Sequence, residues 1–156
     1  MTDRKPSPDR SFPKTLRGDA RALIESCPGW NARLAARRIT RQIDGMLADG
    51  GVSLAQIGLM ALIATSEDDR LGALSRRAGL DQSTLTRNLQ ALARDGLVEI
   101  VTAEKDQRRR AVWLTETGAR RLEAALPLWR QAQEQLAEVQ YLAIAVANAT
   151  RSLDPE

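Results

Sequence analysis

The chain of 156 residues predicts a mostly helical fold with one small β-hairpin, an α+β class. Three observations carry this. The sequence is rich in Ala, Leu, Arg, Gln and Glu, the residues that form helices most readily. Apolar residues recur at helical spacing toward both chain ends. Only two short runs, Val98–Thr102 and Ala111–Thr115, carry the β-branched pattern of strands, and a charged connection joins them. Aromatic residues make up only 3%, so the core must be assembled from Leu, Ile, Val and Ala.

The elements follow in order. Residues 1–18, rich in Pro, Ser and charge, are expected to form a flexible basic tail. From about Trp30 to Leu47 one apolar stripe (Trp30, Leu34, Ile39, Ile43, Met46, Leu47) marks a helix, with Arg33, Arg37 and Arg41 along another side, a solvated face or else a contact to the DNA backbone or a partner. Gly50-Gly51 ends it. Ser53 and Gln56 then have the spacing of a capping box. The helix they start, Leu54 to Thr65, is apolar nearly all round and is expected at the centre of the fold.

Residues 67–70 are read as a surface loop. Leu71, Leu74 and Ala78 give one face of a short helix that Gly79 stops. Asp81 caps the next helix, whose core face is Leu85, Leu89 and Leu92. Its opposite face holds Ser83, Arg87, Gln90 and Arg94, flanked by Thr84 and Thr86. Gly96 leads into the hairpin. Thr115 caps a long helix with a stripe of Leu122, Leu126, Trp129, Leu136 and Val139, expected to kink at Pro127. A last stripe continues through Leu142, Val146 and Leu153.

From Leu71 to Thr115 the order is helix, tight turn, helix, strand, charged loop, strand. That is a winged helix-turn-helix, with one element for the major groove of DNA and one for the minor groove beside it. The chemistry suits the assignment. Arg87 can bond guanine with both prongs of its guanidinium, and Gln90 can pair adenine in the same way. Ser83, Thr84 and Thr86 can donate to phosphate or touch a thymine methyl, and the amide dipoles at the helix start favour a phosphate. In the loop, Arg108, Arg109 and Arg110 suit the negative potential of a narrow minor groove. Asp106 can pair with a neighbouring guanidinium and fix the shape of the tip.

Composition removes other classes. The net charge is +3 and the isoelectric point near 9.6, consistent with a nucleic-acid partner though weak alone. With no histidine and one cysteine there is no internal disulfide, no expected metal site or cofactor, and no Ser-His or Cys-His pair for nucleophilic catalysis. An enzyme is not expected. The start MTDRKPSPDR lacks the apolar stretch of a signal peptide, and the longest apolar run, Leu59–Ala64, is far short of a membrane span, so a cytoplasmic protein is expected.

The stretch LDQSTLTRNLQALARDGLVE followed by DQRRRAVWLTETG resembles the MarR-type winged helix-turn-helix regulators. The resemblance runs from about Trp30 to the C-terminus and includes ALPLW around Pro127. It implies a single domain over residues 19–156. Helices at about 19–48 and 116–156 would join two copies, and a reading head would occupy about 53–115. It further implies a homodimer on a palindromic double-stranded DNA operator, usually a repressor, released by a small phenolic-type effector or by cysteine oxidation. The residues carried over are the groove-reading helix Asp81–Arg94 and the wing residues Asp106 and Arg108. The effector pocket has no residue-level match. Trp113 stands where the family commonly has a polar residue, so the outer face of the wing is expected to pack against something.

Cys27 lies near the sensing cysteine of the peroxide-responsive branch, but Pro28 and Gly29 shift the register, and a bystander thiol is the favoured reading. A second class of function is a winged-helix module that holds a partner protein through the wing without specific DNA binding. Arg87 and Gln90 on one face together with Arg108 argue against it.

Overall fold

Among the described residues the chain forms seven α-helices and one hairpin, and side-chain caps at Thr15, Ser53, Asp81 and Thr115 start four of the helices. The computed structural model describes residues 15–67, 70–103 and 106–153, with backbone alone at 102, 103 and 106–110. It divides into two units, Met1–Thr40 and Arg41–Glu156.

In the first unit, α1 (Leu16–Ser26) starts at Thr15, whose hydroxyl oxygen accepts the Gly18 amide at 3.2 Å. The helix therefore begins inside the segment expected to be a tail, and residues 1–14 lie outside the described residues. Cys27 ends α1, and α2 (Pro28–Leu47) begins at once. Proline suits the first helical position because its missing amide proton has no partner there anyway. The Asn31 side-chain amide donates to the Ile24 and Cys27 carbonyls, at 3.2 and 3.0 Å, and fixes the turn between the two helices. None of the described residues of this unit is buried.

The core belongs to the second unit. Ile43 and Leu47 close the end of α2, and a short 3-10 turn, Ala48–Gly50, leads to Gly51 in the left-handed region at φ 64. The capping box is present as read: Ser53 accepts the Gln56 amide, and Gln56 Oε1 accepts the Ser53 amide at 2.8 Å. It starts α3 (Leu54–Ala64), which buries Ile57, Leu59, Met60 and Ile63 and packs against α4 (Leu71–Ala78), the second hairpin strand and α6 (Glu116–Gln135). Gly79 stops α4 with φ 62, and the Gly79 and Leu80 amides bond back to the Arg76 and Ser75 carbonyls.

The helix α5 (Gln82–Arg94) buries Leu85, Leu89 and Leu92 completely or nearly so. Each such side chain contributes about 1.5–3 kcal/mol over an exposed one. After Gly96 come β1 (Val98–Ala103) and β2 (Asp106–Leu114), paired antiparallel from Val98 opposite Leu114 to Thr102 opposite Arg110. Arg70 adds a single bridge to Ala111. The second strand is longer than the sequence predicts. It begins at Asp106, so the three arginines lie within the strand and not in the connecting loop. The register slips between Thr102 and Ala103, whose partners are Arg110 and Asp106, so residues 107–109 fall between the two pairs. Sequence pattern misses this because charged residues have low strand propensity, and pairing with β1 overrides it.

Two expectations for the C-terminal helices change. The helix α6 continues through Pro127, and the stripe read as one helix from Leu122 to Val139 is divided at Leu136, between α6 and α7 (Ala137–Ala149). The most buried residues of α6 are Gly118, Ala125 and Ala132, not the leucines of the predicted stripe. Small residues on that line let the helix backbone come close to its neighbours, and Leu122, Leu126 and Trp129 flank it half-buried.

Candidate nucleic-acid interface

The reading face is built from the back outward. The three buried leucines of α5 fix the rotation of the helix on the core, and this turns Ser83, Arg87, Gln90 and Arg94 out to solvent. Thr84 and Thr86 flank them, half-buried. Arg87, Gln90, Ala93 and Arg94 line an open depression of about 680 Å³ on the surface of the helix. On another side of α5, Asn88 and Ala91 meet Ser53, Gln56 and Leu59 of α3 around a second depression of about 370 Å³.

Both ends of α5 are anchored. Asp81 caps the start: one carboxylate oxygen accepts the Thr84 amide at 2.8 Å and the Ser83 hydroxyl at 2.5 Å, and the other accepts the Thr84 hydroxyl at 2.8 Å. Hydrogen bonds from the Ser83 hydroxyl, the Thr84 amide and the Thr84 hydroxyl hold the Asp81 carboxyl well below the usual carboxylate range. In the free chain the hydroxyl protons of Ser83 and Thr84 go to Asp81, and Asp81 itself supplies negative charge at the helix start. The Asp81 cap was legible in the sequence; its hold on two candidate DNA contacts was not.

At the far end, the Gly96 and Leu97 amides bond to the Ala93 and Leu92 carbonyls at 3.0 and 2.9 Å, with Gly96 at φ 69. The same turn is gripped by α6. Thr115 donates its amide to the Leu97 carbonyl (3.1 Å) and its hydroxyl to the Gly96 carbonyl (2.7 Å), while its oxygen accepts the Gly118 amide (2.9 Å). In front of the reading helix, the Arg77 guanidinium donates to the Leu62 carbonyl and the Thr65 hydroxyl, tying α4 to the end of α3.

The wing strands carry Asp106, Arg108, Arg109 and Arg110 in β2, and their side chains lie outside the described residues. On the hairpin face that includes Glu99 and Val101, Trp113 is 46% exposed. Cys27 is half-buried at the end of α1, far along the chain from the reading helix. Among the described residues no cluster of acidic or Cys side chains is suited to hold a metal ion, and no single helix is long and apolar enough to cross a membrane.

Comparison with known proteins gives a consistent answer. A model of the MarR family matches residues 50–109, from the start of α3 into the wing. The transcriptional regulator MosR of M. tuberculosis is 30% identical, with a TM-score of 0.71 over 83% of this chain and 97% of that one. Its structure in complex with DNA gives 31% identity and a TM-score of 0.72, covering 82% of this chain and 98% of MosR. The transcriptional repressor YetL of Bacillus subtilis is 30% identical over 94 residues, 59% of this chain. That match spans little more than half of YetL, 56% of its length. The chain belongs to the MarR family of winged helix-turn-helix transcriptional regulators, which bind DNA and are not enzymes.

Proposed function

We propose that this protein is a homodimeric repressor that binds a palindromic operator in double-stranded DNA and leaves it on taking up a small phenolic-type effector. The observation that carries the DNA reading is the two-faced α5: its leucines are buried while Ser83, Arg87, Gln90 and Arg94 share the exposed side. In this reading Arg87 and Gln90 contact base edges in the major groove, with Thr86 beside them for a thymine methyl. Asp106, Arg108, Arg109 and Arg110 serve the wing at the minor groove and the backbone. MosR, alike over nearly its whole length, has been seen bound to DNA.

The dimer reading is supported by apolar side chains left in the open at both chain ends. Leu16, Leu23 and Ile24 of α1 are exposed, and so are Tyr141, Leu142, Ile144 and Val146 of α7. A second copy is the simplest cover for such surfaces, and a two-fold pair sets two reading helices one DNA turn apart. The arm comprises residues 19–48 and 116–156 and the head residues 53–115.

Fluorescence anisotropy with labelled duplex from upstream of the protein's own gene, beside a scrambled duplex at two salt concentrations, tests the assignment. Preference for the upstream DNA that weakens steeply with salt supports it. Absence of binding even at low salt overturns it. Sedimentation showing only monomer at micromolar concentration overturns the dimer.

A further inference from the structure

Among the exposed side chains of the reading helix, Ser83 is the one whose hydrogen-bonding sense is fixed by a neighbour. A serine hydroxyl has one proton to donate and two lone pairs to accept with. An ionised carboxylate has no proton to give, so the 2.5 Å contact between Ser83 Oγ and Asp81 spends the serine's only proton. The second hydroxyl of the cap, Thr84 Oγ1, is committed to Asp81 in the same way at 2.8 Å. Ser83 is exposed, whereas Thr84 is half-buried, so Ser83 is the group that meets a ligand as a pure acceptor.

Resting on the DNA reading above, we propose that Asp81 fixes Ser83 as an acceptor-only reader, which selects an amino base over a keto base at one position of each half-site. In the major groove adenine N6 and cytosine N4 donate, whereas guanine O6 and thymine O4 accept. An oxygen with only lone pairs left matches the first two and faces the last two with lone pair against lone pair. A phosphate oxygen is refused on the same ground, and the Asp81 charge adds repulsion. Arg87 brings donors only, Gln90 brings both, and Ser83 brings the acceptor. Ser83 is therefore a base-specifying residue, and Asp81 positions it.

The test starts from duplexes selected by the wild-type protein out of a random library. Affinities for all four bases at each position are then measured by anisotropy for wild type, Ser83→Ala and Asp81→Gly. Gly is itself a favoured cap residue, so Asp81→Gly keeps the start of α5, and circular dichroism checks both variants. For wild type, one position per half-site favours A and C over G and T by about three- to tenfold, and Ser83→Ala flattens that position to within about twofold. The other positions keep their preferences. In Asp81→Gly the carboxylate that takes the Ser83 proton is gone, so the hydroxyl is free to donate and G and T are restored at that position.

A uniform weakening by Ser83→Ala across all sequences makes Ser83 a phosphate anchor and overturns the proposal. An unchanged base profile in Ser83→Ala overturns it too, and an unchanged profile in Asp81→Gly overturns the part given to Asp81. A wild type with no sequence preference at all defeats the DNA reading itself, which separates that failure from this one.

Discussion

Gly118 lies so close to Leu97 that a methyl group on its α-carbon would stand 1.9 Å from the Leu97 carbonyl oxygen. The contact joins the first turn of α6 to the turn that ends the reading helix, and Thr115 clamps the same place with three hydrogen bonds. The obstructing atom is backbone, so it cannot swing aside as a side chain would.

Gly118→Ala is expected to destabilise the fold by about 3 kcal/mol, roughly 10 °C in melting temperature, because overpacking here must displace the turn after α5. Gly58→Ala is the control. Its side chain meets nothing within 4 Å in mid-α3, and gaining a helix former there stabilises by about 0.5–1 kcal/mol. Urea unfolding of both variants checks the contrast.

Arg87→Ala should cost about 1–3 kcal/mol of operator binding and relax base preference at one position per half-site. Its side chain is exposed and off the core face, so unfolding in urea should match wild type. Anisotropy against single-base variants of the operator reads both effects.

Arg108→Ala should act differently, weakening binding similarly across sequences. The slope of log affinity against log salt should become shallower by about 1, as for the loss of one phosphate contact. An unchanged slope together with unchanged affinity would remove Arg108 from the interface.

Acid should expose the Asp81 cap. Its folded pKa lies below the ordinary carboxylate value, so its contribution is fully present above the unfolded pKa of about 3.9 and is lost as pH falls through the lower folded value. Wild type should therefore lose stability more steeply than Asp81→Asn below about pH 4, while the two stay close at pH 7. Thermal melts across that range decide it.

How much of this was written in the sequence depends on how local each signal is. The Ser53–Gln56 box, Gly79, Asp81 and the Leu85–Leu89–Leu92 face are set by residues within one or two helical turns, and each stands where the pattern puts it. The break at Leu136 has neither Gly nor Pro to announce it; the Leu136 amide is shared between the Ala132 and Gln133 carbonyls. The buried line of α6 does not follow the spacing of its bulky apolar residues, because Gly118, Ala125 and Ala132 are buried by close backbone approach. The length of β2 depends on its partner strand. At the site, Ser83, Arg87 and Gln90 were visible as one face, but the spending of the Ser83 proton needed atomic positions.

The division of labour on α5 also bears on how such regulators diversify. Leu85, Leu89 and Leu92 carry the fold, and Ser83, Arg87, Gln90 and Arg94 carry none of the core. Substitutions on that outer face are nearly free of stability cost, typically within about 0.5 kcal/mol. Gene duplicates could drift to new operators through those four codons, and a combinatorial library over them would redirect the protein to chosen DNA without rebuilding its scaffold.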